Sequence, residues 1–185
     1  MKAESCTAGR PADRGLDGWI DAFVSPVTRM LLASDGMTTP LLEAVARQRV
    51  RADVRSVVPL PAARLGAAAV AALGLRGEEP CLVRRTRLVA ADGLVVSSNC
   101  VVARAGCDER IDRVVGDPAA PLGFALQAAG VVLRRRLVDA GREVWPEPGG
   151  GCCVVKAYTM SAAGRPVLYL RELFNPALIP AELRG

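Results

Sequence analysis

The sequence contains no histidine. That removes Ser–His and Cys–His dyads and imidazole metal sites together, so any proton transfer falls to Asp, Glu, Cys, Lys or Tyr. Lysine is nearly as scarce: 22 of the 24 basic residues are Arg. Aromatic residues make up only 4% of the chain, too few to offer stacking platforms for bases. The net charge is +5 with a pI near 9.1, but there is no Lys-rich tail and no recognition-helix pattern. Nucleic acid is therefore not the expected partner. The Arg excess suits a small anionic ligand. None of the six cysteines forms a C-x-x-C pair, so neither a structural zinc site nor another cofactor is expected. The longest apolar runs, such as LGAAAVAALGL, are too short to span a bilayer, and no secretory signal opens the chain. A cytoplasmic protein with reduced thiols, and no membrane partner, is the expectation.

What is present describes one globular unit. Hydrophobic residues reach 51% of 185 residues, enough for a core of Val, Leu and Ala without cross-links. Residues 1–14 are polar and read as a flexible leader, and 15–185 read as a single domain. Apolar residues from Trp19 to Leu31 fall at helical spacing, interrupted at Pro26, where Ser25 can cap a fresh helix. The segment SDGMTTP carries turn chemistry, and PLLEAVARQ reads as a short helix with Thr39 as its cap. Val50 to Val58 alternates like a strand. PAARLGAAAVAALGL reads as an Ala-rich helix with Gly74 near its end.

The segment CLVRRTRLVAADGLVVSSNCVVAR reads as a hairpin around Asp92-Gly93. Residues 105–120 read as a polar excursion. PLGFALQAAG is a helix with Pro first and Gly130 last. VVLRRRLVDAG is a strand, and CCVVKAYTM with VLYLRELF forms a second hairpin. Hairpins imply antiparallel pairing, so the expected class is α+β: a single antiparallel sheet with helices on one side.

Four pieces, in order, resemble the chorismate lyase family: LLASDGMTTPLLEAV, VRRTRLVAADG, APLGFAL and AGRPVLYLRELFNPAL, spanning roughly residues 28–180. That family removes pyruvate from chorismate to leave 4-hydroxybenzoate. The resemblance implies an enclosed pocket beside an antiparallel sheet. Glu172 would face the reacting oxygen as acid or base, and backbone at Met37 and Leu122 would position the ligand. The family's carboxylate-holding Arg has no counterpart. Counted from Gly93 without gaps its place falls on Cys100, and with a slip of one residue on Asn99. Arg85 and Arg87, on one face of the preceding strand, are the best substitutes. Arg134 to Arg136 must split across two faces of a strand, and Arg135 is the candidate inward residue. Ser98, beside Cys100 in the pattern, is a further candidate ligand contact.

The same fold serves effector-sensing domains of bacterial regulators, whose hairpins resemble RRTRLVAADG. These carry a DNA-binding domain ahead of the sensor, and the roughly 30 residues before Met30 are too few for one. Three functions follow from the resemblance. The first is a carbon–oxygen lyase acting on a small anionic ring through Glu172, with Cys100 as a second reactive group. The second is a remodelled lyase, dehydratase or cyclase for a more neutral substrate. The third is a non-catalytic ligand-binding protein. Either a monomer or a small homo-oligomer is compatible with each. Lys156, mid-strand, is expected at the surface.

Overall fold

The computed structural model describes residues 15–118 and 121–184. The expected leader over 1–14 lies outside the described residues. The described chain opens with α1 (Leu16–Ile20) and α2 (Pro26–Ala33). Ser25 caps α2, its hydroxyl accepting from the Thr28 amide at 3.3 Å, with Pro26 in the first turn where its missing N–H costs nothing. Next comes α3 (Thr38–Ala46). Its N-cap is Met37, and no side chain caps it. Thr39, expected as the cap, lies inside the first turn instead. Then follow β1 (Val50–Pro61), α4 (Ala67–Leu73), β2 (Pro80–Ala90) and β3 (Val95–Arg104).

Residues 105–120, read from sequence as an excursion, include a helix, α5 (Glu109–Gly116). Asp108 caps it, accepting from the Arg110 amide at 2.9 Å, and Ile111, Val114 and Val115 are buried. Their 3–4 spacing is helical, but within eight residues it is outweighed by the polar and Gly positions around it. The remaining elements are α6 (Leu122–Ala128), β4 (Arg134–Val144), β5 (Cys152–Ala162) and β6 (Arg165–Phe174).

The six strands form one sheet in the order β1-β2-β3-β6-β5-β4, with every neighbouring pair antiparallel. The fold is α+β. Helices α1, α2, α3, α5 and α6 cover one face. The first three, with Phe23 from the connection between α1 and α2, bury Trp19, Leu32 and Leu42 against Leu88, Val154 and Phe174. The last two bury Ile111, Val115 and Leu126 against Val101, Met160 and Leu170. Short α4 closes one end of the opposite face, where Ala69 and Leu73 meet Val83, Val102 and Tyr169.

One irregularity decides which side chains meet. Across the β2–β3 hairpin Val89 pairs with Val95, but Leu88 pairs with Ser97. Val96 is an extra residue on β3, a bulge. Because side chains alternate, one extra residue moves every later side chain to the other face. Asn99 and Val101 therefore face the helices, and Ser98, Cys100 and Val102 face away.

Candidate functional site

The site is a small cavity between the helix-covered sheet face and the starts of α3 and α6. Its floor is strand side chains: Thr86 and Leu88 from β2, Asn99 and Val101 from β3, Tyr158 and Met160 from β5, and Leu170 and Glu172 from β6. Its roof is Met37, Thr38 and Thr39 on one side and Pro121, Leu122 and Gly123 on the other, with Arg135 of β4 at the edge. The cavity holds about 60 Å³, room for roughly four waters.

Glu172 is the chemical centre. It lies between Leu170 and Phe174 on the helix face, only 8% exposed, and pairs across the sheet with Asn99 on one side and Lys156 on the other. Thr38 Oγ1 donates to its Oε2 at 2.8 Å, and the Tyr158 hydroxyl donates to its Oε1 at 3.2 Å. Burial raises the carboxyl's pKa, opposed by the Thr38 bond, the Lys156 charge, the Tyr158 bond and Arg135. Tyr158 is itself pushed well above its ordinary value by burial and by the neighbouring Glu172.

Lys156 corrects the expectation of a surface lysine: it is 3% exposed. Its Nζ donates to the Leu31 carbonyl at 2.9 Å and to the Ser34 carbonyl. These groups end α2, whose last carbonyls lack intrahelical partners. A cation there also suits the helix dipole. Burial lowers its pKa, and Glu172 opposes that shift. The lysine thus fixes the turn from Ser34 to Met37 over the cavity.

Two polar atoms at the cavity lack partners. Asn99 Nδ2 donates to Ser97 Oγ at 3.0 Å, but its buried Oδ1 accepts nothing. Arg135 reaches the Asp35 carbonyl at 3.4 Å through Nη1, while its buried Nε has no acceptor. One acceptor and one donor are left open beside a carboxylate, which is unusual for buried polar atoms. Arg84, wholly buried, stands behind them. Its Nε donates to Thr86 Oγ1 at 3.1 Å and its Nη1 to the Val114 carbonyl at 3.0 Å. It ties the end of α5 to the cavity floor, and because Thr86 accepts there, its own hydroxyl proton is left for another acceptor.

The sheet separates the sequence candidates into two groups. Glu172, Asn99, Met37, Leu122 and Arg135 converge on the cavity. Cys100, Ser98, Arg85 and Arg87 lie together on the opposite face, beside Arg171, Glu143 and Glu147. Val96 is the cause: counting without its extra residue carries Cys100 inward, and the bulge carries Asn99 there instead. Arg87 pairs with Glu147 at 2.6 Å, and Arg85 is exposed. Burial raises the Cys100 thiol, with Arg85 and Arg171 opposing. A thiol held protonated is a poor nucleophile, so the reactive role expected for Cys100 finds no support in its surroundings. Thr38, Thr86 and Tyr158 were not singled out from the sequence. Tyr158 had a signal: in KAYTM it shares a strand face with Lys156 and Met160.

No family model matches the sequence, and no curated protein matches it. Solved structures do share the fold, which is the chorismate-lyase-like one. PhnF from Mycobacterium smegmatis superposes with a TM-score of 0.62 over 80% of this chain and 67% of that one, at 14% identity. The ligand-binding domain of a putative GntR-family transcriptional regulator from Bordetella bronchiseptica gives a TM-score of 0.53 over 74% and 90%, at 16% identity. The C-terminal domain of the histidine utilization repressor from Pseudomonas syringae pv. tomato gives 0.54 over 74% and 99%, at 15% identity. These neighbours correct the expectation of a lyase. The Bordetella neighbour is the ligand-binding domain of a putative transcriptional regulator and the Pseudomonas one is part of a repressor, so the neighbours point to ligand binding and not to a lyase. No described helix is long and apolar enough to cross a membrane.

Proposed function

We propose that this chain is a non-catalytic small-ligand-binding module, with the cavity around Glu172 as its site. The observation that carries the reading is the open pair, Asn99 Oδ1 and Arg135 Nε, both buried and both without partners beside the Glu172 carboxylate. A ligand that completes them carries a hydrogen-bond donor for Asn99 and Glu172 and an anionic or carbonyl oxygen for Arg135. The regulator domains of the same fold support a sensing role, in which binding is the whole task and Glu172 serves affinity. Met37 and Leu122 shape the roof. The site residues are therefore Glu172, Asn99, Arg135, Met37 and Leu122, together with Thr38, Thr86 and Tyr158.

The test is a thermal-shift and calorimetric comparison of 4-hydroxybenzoate with benzoate and 4-hydroxybenzyl alcohol. The first has both a donor and an anionic oxygen, and each of the others lacks one. The acid with the hydroxyl raises Tm, and each truncated compound binds about tenfold more weakly or worse. Equal binding of all three, or none by any, contradicts the reading.

A further inference from the structure

Resting on that reading, we infer that the ligand has two parts: a polar head for the inner cavity and an apolar tail for a second, outer cleft. Size comes first. The inner cavity has room for a few waters only, so a ring cannot sit there without displacing part of the wall. The weak part of the wall is identifiable. A Cβ built at Gly123 would lie 3.4 Å from Met37 Sδ and 3.7 Å from Arg135 Nη2. Met37 thus closes over a bare glycine, and its side chain is the most adaptable kind in any core. Beyond it lies the outer cleft, which shares Met37, Gly123, Arg135 and Met160 with the inner cavity.

The linings differ in chemistry. The inner cavity sets Asn99, Glu172, Thr38 and Thr86 among apolar side chains, whereas the outer cleft is walled by Leu126, Val131, Val132, Leu133 and Met160, with Arg135 and Gln127 as its polar members. Val132, in the segment between α6 and β4, is 90% exposed at the lip. Together with Val131, Leu133 and Leu126 it makes a run of apolar surface that a ligand can cover. Arg135 lies at the junction, where its unpartnered Nε meets the oxygen that joins head to tail. The class of ligand is therefore a hydroxylated or amino-bearing head joined through a carbonyl or carboxyl oxygen to an alkyl or aryl extension. Met37 moves aside on binding and then packs on the tail.

The experiment is a calorimetric titration with 4-hydroxybenzoate and its methyl, butyl and hexyl esters, on the wild-type chain and on Val132→Asp. Val132 is at the surface, so this change leaves folding intact. Affinity is expected to rise roughly two- to fourfold per added methylene up to the length of the cleft. Val132→Asp should flatten that rise and leave 4-hydroxybenzoate binding unchanged. If 4-hydroxybenzoate binds but the esters gain nothing with length, the tail inference is wrong and the inner site stands. If length helps equally in Val132→Asp, the chain lies elsewhere and the inference is again wrong. If no compound binds, the inner site fails and takes the tail with it.

Discussion

The two faces of the sheet put the same chemical vocabulary to opposite use. On the helix-covered face, Arg84, Lys156 and Glu172 are buried and each has assigned partners: carbonyls at two helix ends for the cations, two hydroxyls for the acid. On the open face, Arg85 is exposed and Arg87 and Arg171 are part-exposed, paired with Glu147 and Glu143. Neighbours in sequence, Arg84 with Arg85 and Asn99 with Cys100, are assigned to different worlds by strand alternation alone. A charge removed from water must be matched atom by atom, whereas an exposed one is solvated wherever it points. The positions that matter are therefore found by asking which polar atoms are buried and, among those, which remain unmatched.

The sharpest way to break this comparison is to remove one arginine from each face. Arg84→Ala strands the Val114 and Val115 carbonyls and the Thr86 hydroxyl in the interior. It should cost about 3 kcal/mol or more in urea denaturation. Arg85→Ala should stay within about 0.5 kcal/mol. Comparable losses from the two would mean that the faces do not differ as described.

The second effect is pH dependence, which belongs to the buried face. Burial raises the Glu172 carboxyl, so the folded chain holds that proton more tightly than the unfolded one. The stability contributed by the neutral acid is complete below the unfolded pKa and is lost as pH rises through the folded one. Urea midpoints should fall across that window, and Glu172→Gln should flatten the fall. An unchanged slope in the variant would assign the titration to another group.

A smaller effect sharpens the open side. Arg87→Ala breaks the two-bonded pair with Glu147, whose side chain is only 7% exposed, and should cost about 1–3 kcal/mol with little dependence on salt. Cys100, its thiol raised by burial, should react with iodoacetamide slowly at neutral pH. Fast alkylation there would restore a chemical role to this face.

Much of the fold was legible. The Asp92-Gly93 turn and the alternation on either side reveal the first hairpin, as YLRELF and KAYTM do the second. The Ser25-Pro26 start of α2 was readable as a cap followed by proline. Helix α5 was not, because a single amphipathic turn between Asp and Gly residues resembles a loop. The site was legible in Glu172, where a lone carboxylate alternates with Leu170 and Phe174, and in Arg135, the middle of a run that cannot all face one way. The choice between Cys100 and Asn99 was not. It depends on one extra residue at Val96, in a stretch of small aliphatic side chains where nothing local marks a bulge. Lys156 and Arg84 were hidden for a related reason. Their partners are helix-end carbonyls contributed by segments as far as 125 residues away in sequence, and a carbonyl has no residue type to read.

The measurement that bears most directly on the account is a calorimetric titration of 4-hydroxybenzoate against wild type, Asn99→Ala and Cys100→Ala. Asn99→Ala should lose about tenfold in affinity, the worth of one buried hydrogen bond, while Cys100→Ala should bind as wild type does. Loss of binding in Cys100→Ala with Asn99→Ala unaffected would contradict it and place the ligand on the open face of the sheet.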